Sequence, residues 1–241
     1  MLNTLCIETS GPHCSLALAA GGHIYRRDEW LQRSHNQHLL PLLDELFKQA
    51  AIRPTELELV SFGCGPGSFT GVRIAAAAAQ AIATASGARV VPLSSAWVLA
   101  ATACLQHPQL EQLICCIASR GEAYYVSAYE CHARRGAEQA HITQRRADEL
   151  VDQPPAWLSE AHVKPGAEQG IALVGKVPGW LPAAWHDHVL DVIHPQAGVM
   201  LHAAQAQHLA GASLPAAHGL PRYFAGDSPW QKTHERGIAT G

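Results

Sequence analysis

The residues whose types and spacing best suit chemistry lie in a glycine-rich stretch, FGCGPGSFTGVR, at positions 62–73. A dinucleotide-binding loop reads G-x-G-x-x-G, but Ser68 stands where the third glycine belongs. A P-loop has a lysine after its last glycine, whereas Gly71 is followed by Val72. The esterase motif G-x-S-x-G is also absent, because Ser68 directly follows Gly67. The stretch therefore carries none of these three signatures.

Two interpretations of the glycine-rich stretch remain. It leads into a predicted helix, so the free N–H groups at the helix start could bind an anion. Alternatively, Gly65 and Gly67 form a turn, while Gly71 allows another segment of backbone to approach closely. We favour close packing, because the helix that follows has more apolar surface than an anion site requires.

The helix predicted over residues 69–86 is apolar around most of its circumference. At 100° per residue one narrow stripe contains Arg73, Ala77, Gln80 and Thr84, and the rest of the helix surface is Val, Ile or Ala. A helix on its own sheet needs an apolar arc of only about 100°, and the leucine stripe of the preceding helix, residues 34–52, spans roughly 160°. This excess predicts a partner surface. The candidate interface residues are Leu39, Leu42, Leu43, Leu46, Gly71, Ile74, Ala75, Ala78 and Ile82.

The sequence has only part of the set of residues that a nucleotide site needs. The first predicted hairpin offers Glu8, Ser10 and Gly11, but the second has Ala118 where a metal-facing carboxylate would be expected. The segment ALVGKVPGW, at 172–180, has one glycine after its strand and no double glycine. We therefore expect no nucleotide cofactor and no catalytic residue.

The histidines do not predict a metal site either. There are fifteen of them, but the chain has no HExxH or H-x-x-x-H motif, and zinc needs converging ligands. His35 and His38 share a predicted helix, and His186 and His188 alternate on a strand-like run. Surface histidines are the better interpretation.

The elements that position these residues repeat in order along the chain. The first half predicts three strands, a helix, a strand, a helix, a strand and a helix; Ser34 or Asn36 caps the first helix and Gly87 ends the second. The second half predicts strands at 113–119, 123–130, 141–145 and 171–175, a surface excursion at 153–169, and a helix at 196–210.

A duplicated βββαβα unit is the two-lobed α/β architecture of the actin, Hsp70 and sugar-kinase superfamily. The predicted divisions are an N-terminal lobe at 1–106, a C-terminal lobe at 107–215 and a tail at 216–241.

Composition limits the class of function. Hydrophobic residues make up 48% and charged residues 15% of the 241 residues, which is typical of a globular protein. The net charge of −3 argues against a stand-alone nucleic-acid binder. Seven cysteines without a C-x-x-C pair predict reduced, buried thiols. With no signal peptide and no 18-residue apolar span, we expect a soluble, cytoplasmic protein with no membrane contact.

The chain resembles the TsaB (YeaZ) family of bacterial tRNA threonylcarbamoyladenosine biosynthesis subunits, non-catalytic relatives of TsaD. The segments that carry the resemblance are CIETS, SHNQHLLPLLDEL, FGCGPGSFTGVRIA, SRGEAYY and PRYFAGDSPWQK, in this order. GPGSFTGVR, at 65–73, is the most specific. The resemblance covers nearly the whole chain, most strongly residues 1–100.

The resemblance implies an actin-like fold without a metal-binding histidine pair, and a four-helix contact with TsaD made by the first two helices of each protein. A TsaE-like ATPase would join the complex. The net charge of −3 predicts weak tRNA binding by the chain alone, so tRNA contact is expected only through the complex. The excess apolar helix surface predicts a homodimer when the chain is alone. Glu8 and Ala118 depart from the family's usual aspartates, and Gly226-Asp227-Ser228 replaces a segment that often holds a basic residue. The alternative function is a stand-alone ATPase or kinase of this fold, or a peptidase.

Overall fold

The structure is a computed structural model that describes residues 2–31, 35–132, 139–159, 170–190 and 193–224. Its strands are β1 (Thr4–Glu8), β2 (His13–Ala20), β3 (His23–Trp30), β4 (Leu59–Gly63), β5 (Arg89–Leu93), β6 (Gln112–Ala118), β7 (Tyr124–Cys131), β8 (Ile142–Val151) and β9 (Ile171–Gly175). Its helices are α1 (His35–Ala50), α2 (Phe69–Ser86), α3 (Ser95–Gln106) and α4 (Met200–Leu209).

The strands form two sheets of related topology. The first has the order β3-β2-β1-β4-β5 and the second β8-β7-β6-β9. In each, two antiparallel hairpin pairings are followed by a parallel pairing, β1 with β4 and β6 with β9. This repetition confirms the predicted two-lobed α/β fold. Within the described ranges the second sheet lacks a counterpart of β5.

Helices α1 and α2 cover one face of the first sheet. The leucines of α1 and the alanines of α2 interdigitate with β1, β2 and β4 in one core cluster. Gly87 ends α2 in the left-handed conformation, with φ 74°, as the sequence predicts. Pro41 lies within α1, and because the helix begins at His35, Asn36 lies inside it rather than at its cap. The other predicted cap, Ser34, lies outside the described residues.

The remaining two helices are exchanged between the sheets. Helix α3 follows β5 of the first sheet but packs on β6 and its neighbours in the second. Helix α4 follows the second sheet but packs on β1, β2, β4 and β5 of the first. We call each sheet with the helices packed on it a lobe. The lobes therefore interleave along the chain, and the boundaries at residues 106 and 215 stay a prediction.

Other differences from the sequence-based expectations are local. Strand β8 runs to Val151 rather than ending near 145, and its residues 143–147 are exposed. His186 and His188 lie in a 3-10 helix, Ala183–His188, not on a strand. Most of the surface excursion predicted at 153–169, and the tail after 224, lie outside the described residues. No helix in the described ranges is long and apolar enough to cross a membrane.

Candidate functional site: the glycine loop and the cleft between the lobes

The glycine loop packs directly on the turn between β1 and β2. A methyl group added at Gly71 would lie 1.9 Å from the carbonyl oxygen of Thr9, and one at Gly67 would lie 2.6 Å from that of Ser10. The Thr9 hydroxyl donates to the Gly71 carbonyl at 2.7 Å, and the Ser68 N–H donates to the Ser10 carbonyl at 2.7 Å. Glycine is needed here for close backbone approach, so the packing interpretation is confirmed.

The start of α2 is already capped from within the chain. Ser68 is the N-cap residue, and its hydroxyl accepts a hydrogen bond from the Gly71 N–H at 3.2 Å. One of the N–H groups that could bind an anion is thereby occupied, which weakens the alternative of a phosphate site.

The carboxyl group of Glu8 is sealed inside the first lobe. Glu8 is 1% exposed; its carboxyl accepts hydrogen bonds from the Ser10 N–H at 2.6 Å and the Ser95 hydroxyl at 3.0 Å. Burial raises the pKa of Glu8 above its ordinary value, and the hydrogen bonds from Ser10 and Ser95 oppose that shift. Gly63 makes room for it, since a methyl group there would lie 1.9 Å from a Glu8 carboxyl oxygen. This carboxylate is a packed structural group.

A second buried carboxyl group, Asp148 on β8, faces the junction between the lobes. It accepts hydrogen bonds from the Ser94 hydroxyl at 3.1 Å and from the Arg222 guanidinium at 3.3 Å. Burial raises the pKa of Asp148, and the Ser127 and Ser94 hydroxyls, with the positive charge of Arg222, oppose the rise. The adjacent hydroxyls of Ser94 and Ser95 thus bind one buried carboxyl group from each lobe.

The cleft between the lobes is open, and the described residues that line it include no carboxylate. A cavity of about 930 Å³ is lined by the turn at 10–12, Thr70, Ile74, Ile117 and Ala118, among others. An adjoining cavity of about 440 Å³ shares that turn and Ala118, and has Lys176 on its wall. No Asp or Glu of the described residues lines either cavity. The cleft therefore offers no carboxylate ligand for a metal-bound nucleotide.

The cysteines do not supply a nucleophile. All seven are buried and free, which confirms the predicted burial. Burial raises the pKa of Cys64, in the glycine loop, to about 11 and that of Cys14 to about 12. Thiols in that range are protonated near neutral pH and react slowly. Among the described residues no group of three or more His, Cys, Asp and Glu could hold a metal ion.

The candidate interface residues separate into two groups. Ile74, Ala78 and Ile82 are half-buried and form a stripe along α2, beside the exposed alanines Ala77 and Ala81. We call the surface formed by Ile74, Ala77, Ala78, Ala81 and Ile82 the α2 stripe. Ile74, Ala78 and Ile82 pack in part against the core cluster, whereas Ala77 and Ala81 are exposed, so a second protein could reach part of the stripe.

The other candidates face the interior. Leu39, Leu42, Leu43 and Leu46 are 0–4% exposed and Ala75 is fully buried, while Gly71 contacts the β1–β2 turn. The helix wheel predicted that the leucine stripe contacts a partner, but in the structure these leucines are buried where α1 packs on its own sheet. On α1 the exposed apolar residue is Leu40, which is 67% exposed.

Sequence reasoning missed the polar residues at the lobe junction. Ser94 lies 54 positions before Asp148 in the sequence, and Arg222 lies 74 positions after it. Their spacing therefore carries no local signal. The one available hint was the serine pair at 94–95, at the start of a predicted helix. The Ser94 hydroxyl caps α3.

Comparisons with known proteins agree with this geometry. The family model described as TsaD, tRNA N6-adenosine threonylcarbamoyltransferase, matches residues 28–179, more than half of the chain. A Haemophilus influenzae protein named tRNA threonylcarbamoyladenosine biosynthesis protein TsaB is 28% identical over 238 residues, 96% of this chain and 97% of that protein. The Escherichia coli protein of the same name is 26% identical over 96% of this chain and 98% of its own length.

Solved structures share the fold. A Pseudomonas aeruginosa protein, described as uncharacterised with similarity to peptidase YeaZ, has a TM-score of 0.77 at 24% identity and covers 92% of this chain and 99% of its own. YeaZ from the same organism has a TM-score of 0.72 at 24% identity, covering 93% and 100%. The chain therefore belongs to the family that the TsaD model describes and, within it, to the TsaB (YeaZ) group of tRNA threonylcarbamoyladenosine biosynthesis proteins.

Proposed function

We propose that this chain is a non-catalytic scaffold subunit. It binds a TsaD-like catalytic subunit and holds it in the form that transfers the threonylcarbamoyl group to the adenosine beside the anticodon of tRNA. The names of the TsaB relatives support the pathway. A TsaE-like ATPase joins the complex, and tRNA contacts the chain only through the assembly.

The non-catalytic role is supported by the residues at two positions, Glu8 at the end of β1 and Ala118 at the end of β6. Glu8 is buried and hydrogen-bonded to Ser10 and Ser95, and Ala118, which has no ionisable group, lines the cleft. Catalytic phosphoryl transfer of the superfamily type needs carboxylates that reach a metal-bound nucleotide. These residues do not fit that role, so the ATPase and kinase alternative has no support from the cleft.

The α2 stripe supports the scaffold role. A half-exposed apolar surface with small side chains lets a second helix approach closely and bury apolar area. A stable interface buries about 800 Å² per partner. The same stripe would be covered by a second copy of the chain when no partner is present, so we propose a homodimer for the isolated protein.

Reconstitution of the transfer reaction tests the proposal. A TsaD-like subunit and a TsaE-like ATPase are incubated with tRNA, Mg-ATP and the activated threonylcarbamoyl donor, with and without this chain, and modified adenosine is measured by mass spectrometry. We expect modification only when the chain is present, and full retention with Glu8→Gln, since no catalytic group is removed. Modification without the chain, or its loss with correctly folded Glu8→Gln, would overturn the proposal.

A further inference from the structure

The segment 222–224 touches both lobes with three consecutive side chains. Arg222 reaches Asp148 on β8 of the second lobe, while its N–H donates to the Cys64 carbonyl of the first lobe at 2.8 Å. Tyr223 accepts a hydrogen bond from the Arg73 guanidinium on α2 at 2.9 Å. Phe224 lies against Tyr125 on β7, with ring centroids 5.0 Å apart. Arg222 and Phe224 thus contact the second lobe and Tyr223, between them, contacts the first, so the segment holds both lobes at once.

The approach to this segment is itself anchored to the first lobe. Leu214 exchanges two backbone hydrogen bonds with Val90 at the edge of β5, at 2.8 and 2.9 Å. Gly219 then passes close to Val90 and Phe62; a methyl group there would meet their side chains at 3.0 and 3.3 Å. The chain therefore reaches residue 222 from a fixed point on the first sheet, and its contacts with the second lobe come only after that.

The ion pair at Arg222 is asymmetric in burial. The Asp148 side chain is fully buried, whereas that of Arg222 is 49% exposed. Removing the cation leaves a buried carboxylate without its charge partner, which is costlier than losing a surface pair. The aromatic neighbours reinforce the arrangement: the Arg222 guanidinium lies 4.8 Å from the Phe224 ring centroid, and that of Arg73 lies 3.6 Å from the Phe69 ring.

Within the described ranges the chain crosses between the lobes at residues 94–95, between β5 and α3, and again between β9 and α4. Helix α3 also contacts the first lobe between these crossings: Ser95 donates to Glu8, Val98 packs in the core cluster that holds α4, and the Gln196 N–H donates to the Thr102 hydroxyl. Two crossings permit a rotation of one lobe against the other about the line through them, as in hinged two-lobed proteins.

The Arg222–Asp148 pair lies beside the first crossing, because Asp148 also accepts a hydrogen bond from Ser94, and Tyr223 and Phe224 extend this contact to α2 and β7. We propose that Arg222, Tyr223 and Phe224 form a latch that holds the two lobes at one angle and keeps the cleft from opening and closing.

The latch is tested on the full chain alone, by pulsed electron spin resonance between labels on exposed Thr84 of α2 and Thr143 of β8, each changed to cysteine. The seven native cysteines are buried, so labelling is selective. The latch variant is Arg222→Ala/Phe224→Ala, and the matched control is Leu220→Ala, an exposed side chain, 61% accessible, in the same segment. We expect wild type and control to give the same narrow distance distribution, and the latch variant a broadened distribution with a shifted mean.

A folded latch variant that keeps the wild-type distribution would overturn the proposal. If that variant fails to fold, Arg222→Ala/Asp148→Asn removes the ion pair without leaving an unpaired carboxylate, and the same broadening is expected; an unchanged distribution again overturns the latch. The labelled chain is diluted with unlabelled chain, so that distances within one copy dominate even if the isolated protein dimerises. No TsaD-like subunit enters the measurement, so its result is independent of the scaffold function.

Discussion

The protonation of Glu8 links a single side chain to folding stability. Because burial raises the pKa of Glu8, the folded state binds its proton more tightly than the unfolded state does. Below the unfolded pKa of about 4.3 both states are protonated and there is no penalty. As pH rises from the pKa of Glu8 in the unfolded state to its pKa in the folded state, the free energy of unfolding decreases. Above the pKa of the folded state the decrease stays constant.

Glu8→Gln should therefore stabilise the protein at neutral pH. We expect the variant to exceed wild type in free energy of unfolding by about 1.4 kcal/mol for each unit of pKa elevation, with the difference vanishing near pH 4. Urea unfolding at several pH values measures it. A difference that does not grow with pH would show that Glu8 ionises freely in the fold.

Gly71 gives a second prediction at this scale. Gly71→Ala places a methyl group 1.9 Å from the Thr9 carbonyl oxygen, so the first turn of α2 must move. Overpacking of this kind costs about 1–3 kcal/mol, and each kcal/mol lowers the melting temperature by about 2–4 °C in a chain of this size. Gly11→Ala is the control, because nothing lies within 4 Å of its added methyl group. Equal melting temperatures for the two variants would contradict the close-packing account.

Helix α1 shows how burial separates two leucines that the sequence treats alike. Leu43 is 4% exposed and Leu40 is 67% exposed. Leu43→Asp places a carboxylate in the core and should cost on the order of 4 kcal/mol or more, whereas Leu40→Asp should leave the free energy of unfolding nearly unchanged. Thermal unfolding followed by circular dichroism distinguishes them. Similar melting curves would mean that α1 does not pack as described.

Most elements of the fold follow from the sequence. Alternation and turn residues place the strand ends to within one or two residues, except that β8 continues to Val151, six residues beyond its predicted end. Gly87 and Ser68 mark the ends of α2. What the sequence could not predict is which sheet each helix covers. Helix α3 is apolar on nearly all sides, with nine buried residues, so its periodicity selects no face and is compatible with either sheet. The exchange of α3 and α4 is decided by tertiary packing.

The candidate site was predictable only in part. The pattern GPGSFTGVR and the lack of a carboxylate at Ala118 can be seen in the sequence itself. Both favour a closely packed glycine loop over a nucleotide site. The side of α2 that we propose to face a partner was not predictable, because an alanine-rich helix has no strong polar face to orient it. The α1 leucines were misassigned for the same physical reason, since a helix wheel measures apolar arc and cannot tell which surface covers it.

At the scale of the whole molecule, self-association should depend on concentration. The isolated chain is expected to dimerise through the α2 stripe, and Ala81→Arg, which adds bulk and charge at an exposed position, should shift it to a monomer. Sedimentation velocity over a range of concentrations measures the mass. A dimer that survives Ala81→Arg uses another surface.

We propose that α2 binds the catalytic partner, and the affinity of the chain for a purified TsaD-like subunit tests this proposal. Isothermal titration calorimetry compares wild type, Ala81→Arg on α2 and the control Ala206→Arg, which changes an exposed alanine on α4. We predict that wild type and Ala206→Arg bind equally, and that Ala81→Arg loses at least about tenfold in affinity, or about 1.4 kcal/mol. Equal affinity of all three folded proteins would contradict the claim.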